Sequence, residues 1–321
     1  MRVSIEYIES SNIIKIIPSD FKFTQLRGLL GYIKLVNGNI ISPELIEVSL
    51  EKTEVIEIYN KIKRIFEEVF GCEIDSDYAA QDKFNEAEKE ARRFYDFSRK
   101  AKDIRNNNIT ESEFADFCNV LARSDFKRDL RPHQLLAAYH LAFSQNACNF
   151  SVPGSGKTSV VLAAYEYLRH IGDDDKKVEK LIVIGPLSAF IAWKIEYGAC
   201  FGYEPKCLEI RGGVKRKLVE QEIMVSNPAM DMIIMSYGSV HAYRDLISDF
   251  LRNNPCMVVL DEAHRIKKVS EEARSNYVLS LSPEAKSRVV LTGTPAANSY
   301  VDLYNLYKFI WPFNNVIGYN V

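Results

Sequence analysis

Two periods of hydrophobic and polar positions run along this chain, one after the other. The first fifty residues favour strands. Asn12-Ile-Ile-Lys-Ile-Ile17 is a β-branched run, and Tyr32–Val36 and Asn39–Ile41 flank Asn37-Gly38, a pair suited to a type I′ hairpin because both positions need positive φ. The period then becomes helical. Ile58, Ile62, Ile65, Phe66 and Val69 recur at helical spacing before Gly71, and a second helix is predicted over 82–105, ending at Asn106-Asn-Asn108. Thr110-Glu-Ser-Glu113 reads as a capping box for a short helix carrying Phe114, Phe117 and Leu121. From Phe126 onward, short apolar runs at 148–150, 181–184, 232–235, 257–260 and 289–291 alternate with helical stretches. Strands that are apolar on both faces, separated by amphipathic helices, make a parallel sheet covered on two sides. The expected organisation is an α/β domain over 126–321, preceded by a smaller α+β domain over 1–125 that starts β-rich and continues in helices.

Composition narrows the class. The 321 residues are 47% hydrophobic and 26% charged with a net charge of −2, values of a soluble globular protein without a global basic bias. Any nucleic acid must therefore meet a local patch. The six cysteines form no CxxC pair and no Cys/His cluster, which argues against structural zinc or disulfides and for a cytoplasmic protein with reduced thiols. The N-terminus does not read as a signal peptide, and no apolar run approaches the roughly 18–20 residues of a membrane helix, so neither a leader nor a membrane partner is expected.

Candidate chemistry sits at the ends of the predicted strands. Ser151-Val-Pro-Gly-Ser-Gly-Lys-Thr158 follows the first strand of the second domain and opens a helix. Glycines there let backbone N–H groups face phosphate oxygens, Lys157 reaches the β/γ-phosphates, and Thr158 offers a hydroxyl to Mg²⁺. Ser151 stands where the strict pattern has Gly, and in isolation a Gly-rich turn capping a helix explains the segment too. Asp261-Glu-Ala-His264 follows Met257-Val-Val-Leu260, which places two carboxylates at a strand's C-terminal end. Asp261 suits a Mg²⁺ ligand and Glu262 a group that orients or deprotonates water. Thr292-Gly-Thr-Pro295 ends a third strand, and Thr292 and Thr294 could sense the γ-phosphate. Upstream, Leu130-Arg-Pro-His-Gln134 starts a helix whose Gln134 carboxamide can pair with adenine. A basic series at Arg92, Arg93, Arg99, Lys100, Lys102 and Arg105 reads either as an accessory DNA contact or as the wet face of a helix.

In this order, the segments resemble the first motor lobe of helicase superfamily two, most closely its SWI/SNF branch of DNA-dependent ATPases and translocases. Further residues carry the resemblance: Gly185-Pro-Leu-Ser188 with Trp193 and Glu196; Arg211-Gly-Gly213 with Lys215, Arg216 and Lys217; and Ser236-Tyr237. His264-Arg-Ile-Lys-Lys268 and Thr292–Asn298, followed by Leu303, Tyr304, Leu306 and Phe309, belong to the same set. Ser151-Val-Pro153 and Ala296-Ala297 depart from the family's usual residues. The resemblance implies a RecA-like parallel sheet with helices on both faces, acting as motor lobe one, with ATP and Mg as cofactors. By the same resemblance, Gln134, Pro153, Gly154, Ser155, Gly156, Lys157, Thr158, Thr292 and Thr294 hold nucleotide, and Thr158 and Asp261 hold the metal. Lys157, Asp261 and Glu262 serve catalysis. Ser188, Lys194, Arg211, Lys215, Ser236 and Tyr237 line a track for the backbone of DNA, expected to be duplex. For Arg211–Lys217, an ordinary solvated basic loop is the competing account.

The sequence closes at Val321, before any second-lobe motifs. The expectation is a partner RecA-like lobe, in cis in a full protein or in trans, and very slow ATP hydrolysis without it. The alternative is a nucleotide-binding interaction module or truncated product that pairs with a partner lobe. A kinase of a small metabolite would account for residues 154–158 but gives no reason for the acidic pair or the Thr-Gly-Thr-Pro turn.

Overall fold

The β-branched runs near the N-terminus pair with one another into a mixed sheet. β1 (Arg2–Ile8) and β2 (Ile13–Pro18) are antiparallel; α1 (Leu29–Lys34), β3 (Gly38–Ser42) and β4 (Leu45–Ser49) follow. α2 (Val55–Lys63) continues as a π-helical turn at Arg64–Val69 and stops at Gly71, whose φ is 63°. β5 (Glu73–Ser76) and α3 (Tyr78–Arg105) complete the segment. The strand order is β3-β4-β2-β1-β5, antiparallel throughout except between β1 and β5. Val3, Ile5, Ile14, Ile16, Ile46 and Val48 alternate onto the buried face and share one core with Ile58, Ile62 and Phe66.

In this computed structural model, residues 1–50, 55–226, 229–266, 272–295 and 303–312 are described. Their compact units divide at Tyr95/Asp96, within α3. Residues 96–125, which the sequence grouped with the N-terminal part, pack on the second unit. Ile104, Phe117 and Leu121 join its core, and the Phe117 ring lies against Tyr139, Phe143 and Tyr167.

Two local expectations change. Asn37-Gly38 does not join two strands: residues 29–34 are helical because Leu29, Ile33 and Val36 fall on one buried face. Asn37 does take the left-handed conformation (φ 54°), but it links a helix to a strand. Gly38 is required by space, since a Cβ there would stand 2.7 Å from Ile33 Cγ2. In α4 (Glu111–Arg123), Thr110 is the N-cap residue yet its side chain makes no cap hydrogen bond. Glu113 accepts a hydrogen bond from the Lys100 ammonium, which ties α3 to α4.

The second unit continues with α5 (Pro132–Ser144), β6 (Asn146–Asn149), α6 (Lys157–His170), β7 (Lys180–Gly185), α7 (Ala189–Phe201), β8 (Cys207–Ile210) and α8 (Arg216–Ser226). β9 (Met232–Ser236), α9 (Val240–Asn253), β10 (Cys256–Leu260), α10 (Glu272–Leu281), β11 (Ser287–Leu291) and α11 (Tyr304–Ile310) complete it. All six strands are parallel, in the order β6-β11-β10-β7-β9-β8. Leu181, Val183, Met257 and Val259 face the core under α5, α6 and α7. The alternate residues Ile182, Ile184, Val258 and Leu260 are equally buried, so both faces of this RecA-like sheet are covered. No described helix is long and apolar enough to cross a membrane.

Candidate functional site

Strand register gathers the predicted motifs at one edge. Leu260 pairs with Ile184 and Val290, and Leu291 pairs with Asn149. The segments after β6, β11, β10 and β7 therefore leave the sheet side by side at its C-terminal edge, where ligands of parallel α/β sheets bind.

Gly154 and Gly156 turn the segment after β6 through left-handed backbone, at φ 79° and 81°, and α6 begins at Lys157. Asn149 starts the turn: its Oδ1 accepts the Ser151 N–H (3.0 Å) and the Ser151 hydroxyl. The Lys157 ammonium donates to the carbonyls of Ser151 (3.0 Å) and Val152 (3.1 Å). Gln134 spans two segments. Its Oε1 accepts the Arg131 N–H and its Nε2 donates to the Ser155 carbonyl, each at 2.9 Å. A Cβ at residue 156 would stand 2.3 Å from that Nε2, so this approach needs glycine. Beside the loop lies a cleft of 690 Å³, lined by Arg131, Gln134, Gly156, Thr158 and Glu196 among others. Ser155 Oγ is buried with no hydrogen-bond partner among the described residues. Ser159, which follows the motif, donates to Glu196, and Arg128 lies 3.4 Å from the same carboxylate. Neither Ser159 nor Arg128 was singled out from the sequence; only the pairing across α6 and α7 gives them a role.

Asp261 is held on every side. Its N–H donates to the Ile184 carbonyl (2.8 Å). Oδ2 accepts the Trp193 indole N–H and Oδ1 accepts the Glu262 N–H, both at 2.9 Å. Its carbonyl accepts the Tyr237 hydroxyl at 2.9 Å. Burial raises the Asp261 pKa above the ordinary carboxylate value, opposed by the Trp193 hydrogen bond. Glu262 sits at φ 50°, left-handed backbone that is costly for a residue with Cβ, and its carboxylate lies 3.2 Å from His264 Nδ1. One hydrogen bond per Asp261 oxygen leaves lone pairs for a cation, and Thr158 is the second residue of α6, the helix that follows β6, two strands away from β10. This donor set fits Mg²⁺, which binds through one or two protein oxygens plus phosphates, and no richer His/Cys/Asp/Glu cluster exists among the described residues.

The two threonines differ. Thr292 is fully buried, and its Oγ1 accepts the Thr294 N–H at 3.2 Å; Thr294 is the exposed one. Gly293 lies against the phosphate loop: a Cβ there would stand 3.0 Å from Pro153 Cδ. Ala296-Ala297-Asn298 and Lys267-Lys268 lie outside the described residues.

Along the remaining edge, Ser188 is exposed ahead of α7. Lys194 Nζ is 2.5 Å from Glu209, the Arg211 guanidinium bonds the same carboxylate, and Arg211 also lies 5.3 Å over the Phe190 ring. Lys215 is exposed at the start of α8. Ser236 bonds Ser239 at 2.7 Å. Tyr237 turns its hydroxyl inward to Asp261, and burial raises its pKa well above the usual phenol value. On α3, Arg92 pairs with Glu88 and Arg99 with Asp96, the pattern of a solvated helix face.

A family model described as the SNF2-related domain matches residues 150–315. The DNA repair and recombination protein RAD54-like of Drosophila ananassae is 28% identical over 119 residues, which is 36% of this chain and 15% of that protein's length. Among solved structures, the SWI2/SNF2 ATPase core of Sulfolobus solfataricus in complex with dsDNA is similar at a TM-score of 0.44 and 23% identity, over 60% of this chain and 36% of that one. The SWI2/SNF2 ATPase core domain from the same organism gives 0.45 and 24%, over 60% and 37%.

Proposed function

The chain belongs to the SNF2-related domain family, and from that premise we propose that it is the ATP-binding lobe of a DNA-dependent ATPase and translocase. The observation carrying this reading is the shared sheet edge, where Gly154–Thr158, Asp261-Glu262 and Thr292–Thr294 follow the neighbouring strands β6, β10 and β11. The loop amides, Lys157 and Gln134 bind ATP, with Gln134 between the loop and the adenine. Thr158 and Asp261 hold Mg²⁺, which when bound neutralises charge on the β- and γ-phosphates. Glu262 orients a water against the γ-phosphorus and takes its proton as the O–P bond forms and the bond to the β-phosphate bridging oxygen breaks. Thr294 meets the γ-phosphate, and Thr292 shapes its turn. Ser188, Lys194, Arg211, Lys215 and Ser236 follow the backbone of duplex DNA, and this contact carries no base sequence.

A second RecA-like lobe, in cis or in trans, completes the site. It supplies arginines to the transition state, a contribution of about 10³–10⁵ in rate. Nucleotide binding by the chain alone and hydrolysis with that lobe supplied form the test. Lys157→Ala should lose ATP binding. Glu262→Gln should keep binding and lose at least about 10² in hydrolysis. Undiminished hydrolysis in Glu262→Gln, or brisk DNA-stimulated turnover by the chain alone, would overturn these assignments.

A further inference from the structure

We propose that Trp193 and Tyr237 are positioning residues that fix Asp261 for a divalent cation, one gripping its carboxylate and the other its main-chain carbonyl. Each comes from a different strand end. Trp193 lies on α7, which follows β7, and Tyr237 immediately follows β9. They are 68 and 24 residues away from Asp261 in sequence, yet both donate to it at 2.9 Å. Trp193 is 1% exposed, so its N–H has no solvent alternative and the hydrogen bond selects one orientation of the carboxylate. With Oδ2 held by Trp193 and Oδ1 by the Glu262 N–H, the remaining lone pairs of both oxygens keep a fixed direction. The Tyr237 hydroxyl acts on the peptide that links Asp261 to Glu262, the residue at φ 50°. Tyr237 therefore serves the metal side of the sheet edge, where the sequence had assigned it to DNA.

The inference rests on reading Asp261 as a metal ligand, and the experiment separates the two. Mn²⁺ is the probe: its affinity in the presence of ATP is followed by electron paramagnetic resonance, and ATP affinity is measured separately in EDTA with a fluorescent analogue. Trp193→Phe keeps an aromatic ring and removes the N–H; Tyr237→Phe removes only the hydroxyl. Trp193→Phe should weaken Mn²⁺ about 10-fold, at the lower end of the effect of outer-shell hydrogen bonds on metal affinity. Tyr237→Phe should weaken it about threefold, as expected for one neutral hydrogen bond. ATP affinity in EDTA should stay within about twofold for both, because a metal-positioning role leaves the phosphate loop untouched. If the wild-type chain shows no ATP-dependent Mn²⁺ binding, the ligand assignment of Asp261 fails. If it binds Mn²⁺ and both variants bind equally well, or if ATP affinity in EDTA falls in parallel, positioning is overturned while the ligand assignment stands. Tyr237→Phe carries the decision alone should Trp193→Phe not fold.

Discussion

Glu262 spends conformational energy that its neighbours do not. At φ 50° its Cβ crowds the following carbonyl, at a cost of about 1–2 kcal/mol for an L-residue. The flanking structure leaves it little choice, since Asp261 is fixed at its N–H, both carboxylate oxygens and its carbonyl. Glycine is free of that strain, so Glu262→Gly should melt higher than Glu262→Gln, by up to about 1 kcal/mol after the entropy glycine loses on folding. Thermal melts of the two variants check this; equal melting would mean that the backbone is not strained there. Gly156 makes the opposite case. Gly156→Ala should expel the Gln134 amide, lose its two hydrogen bonds and place a Cβ at φ 81°. The expected outcome is destabilisation by about 1–3 kcal/mol together with weakened ATP binding, and Gln134→Ala should not restore the melting temperature because the backbone strain stays.

At the scale of elements, the parallel sheet and the order of its motifs were legible because fully apolar strands have one stable use, between two layers of helices. β8 carried no such signal: Cys207–Glu209 are only half-buried at the sheet's edge, and the strand contains a carboxylate. α1 was hidden for another reason. Its exposed Leu30, Tyr32 and Leu35 interleave with buried Leu29 and Ile33, so the run is apolar all round and its period is blurred. The sequence named candidate residues at strand ends, and the register of β6, β11, β10 and β7 gathers those ends at one edge, but spacing did not give the contacts between residues. Nothing in sequence spacing says that Trp193 meets Asp261, or that Glu113 pairs with Lys100. The Lys100 bond lowers the Glu113 pKa, so its stabilisation is present above the ordinary carboxylate pKa and is lost as pH falls through the folded value. Partial exposure keeps it under about 1 kcal/mol. A Glu113→Gln variant should melt slightly below wild type at pH 7, with the gap closing below about pH 4. A gap that persists in acid would show the ion pair to be irrelevant.

For the whole molecule, a net charge of −2 means that long-range attraction cannot bring DNA to this chain. Under the proposed reading, affinity for DNA comes from a few cations at the sheet edge. If Lys194, Arg211 and Lys215 each meet a phosphate, the logarithm of the binding constant should fall against log salt with a slope of about −3, and Lys215→Ala should reduce that slope by about 1. Titrations over a range of salt concentrations decide it; an unchanged slope in Lys215→Ala would remove that residue from the contact. Glu209 alters this picture from within. Its two oxygens receive Lys194 and Arg211 much as a phosphate would. In the language of competition, it is a tethered rival ligand whose effective concentration is on the order of millimolar or higher. Free inorganic phosphate must outcompete that local concentration one ion at a time. A polymer presents many phosphates on one backbone and would displace Glu209 by multivalency, so under the proposed DNA contact the carboxylate would make the track selective for chains over small anions.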